Sequence, residues 1–277
     1  MGRKLKAIFI GELSWRRIIR SLFLIPVFVY LGLFTLAWLT PDKLIFQPQP
    51  SSYRDGPGVL KLVTASGEKI AAKHYLNPSA EFTILFSHGN AEDVGDLEPL
   101  FQELQNAGFS VFAYDYRGYG TSEGTPTEEN SYRDIDAAYK YLTGQLNIAP
   151  EKIILHGRSL GGGPSVDLAV RSPVGGLILE SAFTSAFRVV TRIDLLPFDK
   201  FRNIDKLPGV KCPVLVIHGR RDNLIAFRHG EQLYSAAPGK KYSFWVEDAG
   251  HNDLFFVARE GYLGAIRDFA RKIAGPQ

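Results

Sequence analysis

The stretch GRSLG, residues 157–161, decides the fold of this chain through what flanks it on either side. The apolar run KIILH at residues 152–156 precedes it and predicts a buried strand, and the helix-like run GGPSVDLAV at residues 162–170 follows it. Glycines two residues on either side of Ser159 permit a turn that Cβ atoms would obstruct. A strand, Gly-x-Ser-x-Gly and a helix together hold a serine hydroxyl at the tip of a sheet, the arrangement called a nucleophile elbow. The alternative is a glycine-rich turn with a surface serine, and the rest of the sequence has to decide.

Two further residues follow in the order that an activated serine requires. Asp222 and His251 each come shortly after an apolar run that predicts a strand, at the edge where open α/β sheets place their ligand sites. A serine hydroxyl is a weak nucleophile until an imidazole accepts its proton, and a carboxylate fixes the tautomer of that imidazole. Serine, acid and histidine in this order are typical of α/β-hydrolases. We therefore predict Ser159, Asp222 and His251 as catalytic residues; Asp248 and Asp253 are nearer to His251 along the chain and are the alternative acids.

A second glycine signal predicts where a developing negative charge would be stabilised. The buried-strand pattern of residues 82–87 ends in His-Gly-Asn-Ala at residues 88–91. Acyl transfer creates an oxyanion that needs two preorganised N–H donors. In this architecture one donor belongs to the residue after the nucleophile, Leu160, and the other to the loop after the third strand. We assign the second donor to Asn90, with Ala91 as the alternative; an ordinary strand-to-helix turn would also suit this sequence.

The remaining histidines do not form a pattern that binds metal. His156 and His218 lie at predicted strand ends and are interpreted as packed or turn residues, and His229 is interpreted as an exposed helix start. Since the sequence contains no His-x-x-x-His or Cys-x-x-Cys pattern, we expect no metal and no cofactor. Arg158, next to the predicted nucleophile, either steers anionic groups or pairs with a surface carboxylate.

The N-terminal region is the second informative part of the sequence. Residues 21–39 carry no charged side chain and are dominated by Leu, Phe, Val, Ile and Trp; a helix of that length spans about 28 Å, close to the thickness of a bilayer core. Residues 1–20 hold six Lys or Arg side chains against the single acidic Glu12. We predict a basic cytoplasmic arm (1–20), a transmembrane anchor (21–39) and a catalytic domain on the non-cytoplasmic side. A cleaved signal peptide and a buried core helix are the alternatives.

The rest of the chain reads as one domain. Residues 40–58, rich in Pro, Gln, Ser and Gly, predict a linker, and residues 59–277 are long enough for a single catalytic domain. Helix-like runs alternate with all but the first strand-like runs, which predicts a mostly parallel eight-stranded sheet with an antiparallel start and helices on both faces. The strand-like runs are 59–64, 69–76, 82–87, 109–114, 152–156, 176–181, 213–218 and 242–247, and the helix-like runs are about 96–107, 127–143, 161–171, 185–193, 228–236 and 257–273. Residues 184–212 leave room for only a minimal lid.

The charge balance limits the classes of partner. The formal net charge is +3, and the N-terminal arm alone carries more positive charge than this total. The basic character is therefore a signal of membrane topology, and it does not predict a nucleic-acid partner. Cys212 is the only cysteine, so the chain has no internal disulfide. The partners expected are a membrane and a small-molecule or acylated substrate.

Taken together, these stretches resemble the α/β-hydrolase superfamily, and within it the branch of membrane-associated palmitoyl-protein depalmitoylases and their bacterial relatives. The resemblance covers roughly residues 44–275 and rests on residues 85–91, 114–120, 157–161, 199–204 and 250–253. It implies the α/β-hydrolase fold and the triad of Ser159, Asp222 and His251. Depalmitoylases of this branch carry a lipidated N-terminal cysteine cluster, whereas this chain has a hydrophobic helix there.

The sequence as a whole predicts a membrane-anchored serine hydrolase that cleaves carboxylic esters or thioesters through an acyl-enzyme. A peptidase or amidase of the same fold is one alternative, because the same triad also cleaves amides. A non-catalytic interaction module is another alternative. The complete set of Ser159, Asp222, His251 and the oxyanion glycines argues against a module, since a scaffold has no chemical reason to keep all of them.

Overall fold

The computed structural model describes residues 15–191 and 195–275. The chain divides into two compact units, residues 1–44 and 45–277. The first described element is helix α1 (Trp15–Leu39), and the short helix α2 (Pro41–Ile45) follows it. Within α1, Ile18–Leu39 has a mean hydropathy of 2.3 and almost no buried side chains. Its length and composition suit a membrane span, and a signal sequence would share them.

The second unit is built on one eight-stranded sheet. Its strands are β1 (Val59–Val63), β2 (Lys69–Tyr75), β3 (Thr83–Ser87), β4 (Ser110–Tyr114), β5 (Ile153–Arg158), β6 (Gly176–Glu180), β7 (Val214–Gly219) and β8 (Lys241–Val246). The spatial order is β1-β2-β4-β3-β5-β6-β7-β8. β2 pairs antiparallel with both β1 and β4, and every other pair is parallel. This is the α/β-hydrolase arrangement, and the predicted antiparallel start of a mostly parallel sheet is confirmed.

Helices cover both faces of the sheet. They are α3 (Glu98–Asn106), α4 (Glu128–Lys140), α5 (Gly162–Arg171), α6 (Ala186–Thr191), α7 (Asn203–Lys206), α8 (Arg228–Ala236) and α9 (Leu254–Ala274). Alternate residues of each strand point to opposite faces, so on β3 Ile84 belongs to the core cluster that includes side chains of α3 and α9, whereas Leu85 belongs to the cluster that includes side chains of α4, α5 and α8. All side chains of β3 to β7 are buried. Strands covered on both faces are uninterrupted apolar runs, which is why the sequence located them well.

The connection between β6 and β7 is short. Its described part holds the single-turn helices α6 and α7 and a 3₁₀ turn at Leu207–Gly209, in agreement with the predicted minimal lid. One prediction in this region is wrong: His229 lies at the start of α8 but is only 2% exposed. Its Nδ1 accepts a hydrogen bond from the Thr184 hydroxyl at 3.0 Å, and burial lowers the pKa of His229 to about 4.

Candidate active site

The turn after β5 has the shape of a nucleophile elbow. Ser159 has a φ of +52°, a left-handed conformation that few residues other than glycine adopt. The flanking glycines are required by close backbone approach: a Cβ on Gly157 would lie 2.4 Å from the Gly161 carbonyl oxygen, and a Cβ on Gly161 would lie 2.0 Å from the Ser87 carbonyl oxygen. A side chain at Gly157 would collide with the turn itself, and a side chain at Gly161 would push the turn away from β3. The alternative of an ordinary surface turn is therefore wrong, since Ser159 is buried and its backbone is strained.

The three predicted catalytic side chains lie in one hydrogen-bonded row. The Nε2 atom of His251 lies 3.0 Å from the Ser159 Oγ, and its Nδ1 lies 2.7 Å from the Asp222 Oδ2. Ser159 follows β5, Asp222 follows β7 and His251 follows β8. The carboxyl ends of parallel strands share one edge of a sheet. Of the three acids that the sequence offered as candidates, Asp222 alone bonds the imidazole; Asp248 pairs with Arg221, and Asp253 accepts from the Gly250 N–H.

Asp222 is held as an ionised carboxylate. Its Oδ1 accepts the N–H groups of Leu224 and Ile225 at 2.9 and 2.7 Å, and His218 lies 3.3 Å from its Oδ2. Burial by itself would raise the pKa of Asp222, but the hydrogen bonds from His218 and His251 outweigh burial and hold that pKa well below its usual range. An ionised acceptor fixes the proton of His251 on Nδ1, and Nε2 is left to accept a proton from Ser159.

The 88–91 turn lies against the nucleophile. A Cβ on Gly89 would be 3.5 Å from the Ser159 Cβ. The Gly89 N–H donates to the Glu92 Oε1 at 2.6 Å, and the Ala91 N–H donates to the Asn90 side chain at 3.1 Å. The Asn90 N–H, in contrast, has no acceptor in the part of the chain that the structure describes.

The other predicted donor is the N–H of Leu160. Leu160 lies in the 3₁₀ turn Ser159–Gly161 that opens α5, and the first N–H groups of a helix have no intrahelical acceptor. Asn90 and Leu160 therefore suit a pair of oxyanion donors. Ala91, which the sequence left open, is the poorer choice because its N–H already has a local acceptor.

Sequence reasoning missed what the Asn90 side chain does. Its Oδ1 accepts the Tyr119 hydroxyl at 2.6 Å and the Gln47 N–H at 2.9 Å, and its Nδ2 donates to the Ile45 carbonyl at 2.6 Å. The side chain thus binds the last residue of α2 and the segment that follows it. No local pattern could have indicated these partners, since they lie far away along the chain.

Arg158 also differs from its prediction. We expected it to steer anions or to pair with a surface carboxylate, but its side chain is buried and its closest partner, Glu92, is largely buried too. Among the described residues, no group of three or more His, Cys, Asp or Glu side chains has a geometry that could hold a metal ion. The chemistry that this arrangement can support is nucleophilic attack by an activated serine.

Comparison with known proteins shows the family of this chain. Residues 78–197 match the family model described as "Serine aminopeptidase, S33". Human "Alpha/beta hydrolase domain-containing protein 17B" is 41% identical over 210 residues, which cover 74% of this chain and 72% of the human protein. This chain belongs to the α/β-hydrolase domain-containing protein 17 family. The relative aho-3 from Caenorhabditis elegans is 44% identical over 198 residues, and the match spans 58% of its length, less than two thirds.

Solved structures support the same fold. An esterase from Pyrococcus furiosus superposes with a TM-score of 0.68 at 19% identity, over 83% of this chain and 98% of the esterase. An esterase from Exiguobacterium antarcticum gives a TM-score of 0.60 at 19% identity, over 76% and 98% of the two chains. The predicted resemblance to the α/β-hydrolase superfamily is therefore confirmed for the fold and the family.

Proposed function

We propose that this protein is a membrane-anchored serine hydrolase that cleaves carboxylic esters or thioesters through an acyl-enzyme on Ser159. The observation that carries the proposal is the row from Ser159 Oγ to His251 Nε2 at 3.0 Å and from His251 Nδ1 to Asp222 at 2.7 Å. Membership of an α/β-hydrolase family and the fold of known esterases support it.

The first half of the reaction forms the acyl-enzyme. Ser159 Oγ attacks the acyl carbonyl carbon while its proton passes to His251 Nε2, and the carbonyl oxygen becomes an oxyanion. The N–H groups of Asn90 and Leu160 stabilise that charge. Asp222 stabilises the imidazolium. Collapse of the intermediate breaks the bond to the alcohol or thiol, which takes the proton from His251 as it leaves.

The second half of the reaction returns the free enzyme. A water molecule gives a proton to His251 Nε2 and attacks the acyl carbon, which forms a second oxyanion on the same two donors. Collapse of this intermediate breaks the bond to Ser159 Oγ, and the serine takes back the proton from His251. The products are the carboxylic acid and the alcohol or thiol, and no cofactor is required.

Two exposed apolar side chains favour an acyl substrate. Leu224, two residues after Asp222, is 57% exposed, and Phe256, five residues after His251, is 79% exposed. The described part of the β6–β7 connection adds only short helices. Exposed apolar side chains shortly after two of the three proposed catalytic residues suit contact with a hydrocarbon chain. The resemblance to palmitoyl-protein depalmitoylases points the same way, toward esters or thioesters of fatty acids.

The family model favours one competing activity. The description "Serine aminopeptidase" points to amide bonds, which the same triad can cleave. An amide needs protonation of a poorer leaving group, so the two activities differ in rate on matched acyl esters and acyl amides.

The test of the proposal is labelling and turnover by purified full-length protein. We expect a fluorophosphonate probe to label the wild type, and the substitutions Ser159→Ala and His251→Ala to abolish labelling and to lower kcat by about 10⁴-fold or more. Ser165→Ala is the matched control: Ser165 is also buried, six residues further along, and its replacement should leave both readouts unchanged.

The outcome also decides between the candidate activities. Turnover of p-nitrophenyl esters and acyl thioesters with little turnover of aminoacyl amides supports the proposal, and the reverse order supports the peptidase. An unlabelled wild-type protein without turnover would make the chain a non-catalytic module and overturn the proposal.

A further inference from the structure

The buried guanidinium of Arg158 contacts three separate parts of the site. Its Nη1 donates to the Glu92 Oε2 at 2.7 Å, its Nη2 donates to the Asn252 Oδ1 at 3.2 Å, and its Nε lies 3.5 Å from the Glu180 Oε1. Arg158 directly precedes the nucleophile, and Asn252 directly follows His251. A planar guanidinium with five donors can hold several acceptors in fixed directions at once.

Glu92 passes this contact on to the oxyanion loop, residues 88–92. Its Oε2 accepts from Arg158 at 2.7 Å and its Oε1 accepts the Gly89 N–H at 2.6 Å, so the carboxylate bridges Arg158 and Gly89. The room for this carboxylate exists because residue 89 is glycine: a Cβ there would lie 2.7 Å from the Glu92 Oε1. The residue that follows Gly89 is Asn90, whose N–H we assign to the oxyanion.

Glu180 anchors the opposite side of the guanidinium. Its Oε2 accepts a hydrogen bond from the Tyr262 hydroxyl at 2.7 Å and lies 2.8 Å from the His156 Nε2. Burial would raise the pKa of Glu180, but its bonds to His156, Arg158 and Tyr262 lower it to about 2. Glu180 is therefore a fixed negative charge between β5 and α9, and it lies opposite Glu92 on the Arg158 guanidinium.

A purely stabilising role explains this cluster poorly. Taking an arginine and two carboxylates out of water carries a large desolvation penalty, and apolar side chains of similar volume often stabilise a fold as well as a buried ion pair does. What apolar side chains cannot do is hold the backbone N–H of Gly89 and the amide of Asn252 at fixed distances from the residue next to Ser159. The cluster therefore suits a role in fixing the positions of these two groups.

We propose that Arg158 and Glu92 are positioning residues that hold the oxyanion loop and the His251 loop against Ser159. This inference rests on the proposed function. Neither side chain touches the acyl group; Glu92 acts through Gly89 on the Asn90 N–H, and Arg158 acts through Glu92 and Asn252. Loss of the bridge lets the Asn90 N–H move away from the oxyanion, which forms after substrate binds, so kcat falls and KM does not.

The experiment compares Arg158→Gln, Glu92→Gln and the double variant in full-length protein, with a p-nitrophenyl ester as substrate. Glu92→Gln is isosteric and keeps an oxygen for the Gly89 N–H, but its amide cannot accept from Arg158. Complete loss of one oxyanion donor lowers kcat by about 10²–10³-fold. Because each single substitution only displaces the Asn90 N–H, we expect it to lower kcat by about 10–100-fold and to leave KM within about threefold of wild type. The kcat of the double variant should be about the same as that of the less active single variant, because both substitutions break the same bridge.

Two further variants separate positioning from stability. Arg158→Lys keeps the charge but has no fork to reach Glu92 and Asn252 together, so kcat should recover only in part. Arg117→Gln is the matched control: Arg117 is a buried arginine 2.7 Å from the buried Asp134, outside this cluster. We expect it to lower Tm and to leave kcat unchanged well below that Tm.

Each result supports or overturns the inference. Wild-type kcat in the Arg158 and Glu92 variants, at a temperature where they are folded, overturns the inference. It is also overturned if Arg117→Gln loses as much kcat as these variants for the same decrease in Tm. If Arg158→Gln does not fold, Glu92→Gln decides alone. Fluorophosphonate labelling keeps the two proposals apart: an unlabelled wild type contradicts the proposed function, whereas Glu92→Gln labelled at the wild-type rate contradicts the positioning role only.

Discussion

At the scale of single residues, Asp222 shows how much depends on one hydrogen bond. In Asp222→Asn, the amide oxygen still accepts from Leu224 and Ile225, which hold the Oδ1 in the structure. The amide N–H₂ then faces His251 Nδ1 and forces the ring proton onto Nε2, so the ring can no longer accept a proton from Ser159. We expect kcat to fall by about 10⁴-fold with little change in KM.

The measurement is kcat on an activated ester, together with thermal unfolding by circular dichroism. Asp248→Asn provides the control, because this neighbouring acid pairs with Arg221 at the surface and its loss should change neither quantity appreciably. Asp222→Asn activity above a tenth of wild type would remove Asp222 from the mechanism.

The sequence predicted the row of three residues but not the residues that hold it in place. Ser159, Asp222 and His251 could be found because each follows an apolar run, and parallel strands bring their carboxyl ends to one edge of a sheet. The bond from Arg158 to Glu92 and the bond from Asn90 to Ile45 leave no such pattern. Their partners are 66 and 45 residues apart, and only the packed loops bring them together.

At the scale of elements, the segment 46–53 is bound to the loops of the catalytic domain. The Ser52 N–H donates to the Asp93 Oδ2 at 2.7 Å, and the Tyr53 hydroxyl donates to Asp115. The other oxygen of Asp115 accepts the Val94 N–H at 2.8 Å. Burial raises the pKa of Asp115 to about 7, and a buried carboxyl group of this kind needs its hydrogen-bond partners.

We therefore expect Tyr53→Phe to loosen this segment and the loop at residues 93–95 together. Loss of a partner for a buried acceptor costs about 1–3 kcal/mol, and local opening would rise accordingly. The measurement is hydrogen exchange by mass spectrometry, with faster exchange at residues 51–54 and 93–95. Tyr139→Phe is the control, since the Tyr139 hydroxyl donates to the Pro173 carbonyl, in another part of the domain. Unchanged exchange in both segments would show that the Tyr53 bond does not hold them.

Strand positions were easier to predict than the ends of helices. The eight apolar runs match the eight strands within about two residues. For β3 to β7 the reason is that burial on both faces demands continuous apolar sequence. The last helix was predicted to start at residue 257, but α9 starts at Leu254 and is kinked at Ala258, with φ −129°. A kink that joins two helical segments depends on packing, and the periodicity of the sequence does not predict it.

At the scale of the whole molecule, charge and hydropathy are strongly asymmetric. Residues 1–20 carry six basic side chains and one acidic, whereas on the other side of the apolar segment the first basic residue, Lys43, is next to Asp42. Membrane helices orient with their Lys and Arg-rich flank in the cytoplasm. We therefore propose that the catalytic domain faces the non-cytoplasmic side, a bacterial periplasm or a eukaryotic lumen or exterior.

This topology can be tested with single-cysteine variants, because Cys212 is the only native cysteine and can be replaced by Ser. Ser79 is exposed on the turn between β2 and β3, away from the proposed active site. In the cysteine-free background, Ser79→Cys should react with a membrane-impermeant maleimide added to intact spheroplasts or cells, whereas Lys4→Cys should react only after the membrane is permeabilised.

The depalmitoylases that the chain resembles use lipidated cysteines, which need no translocation, so their orientation does not extend to a spanning helix. The reverse labelling pattern would place the domain in the cytoplasm. Labelling of a soluble domain that has lost Lys4 would instead identify the N-terminal helix as a cleaved signal peptide.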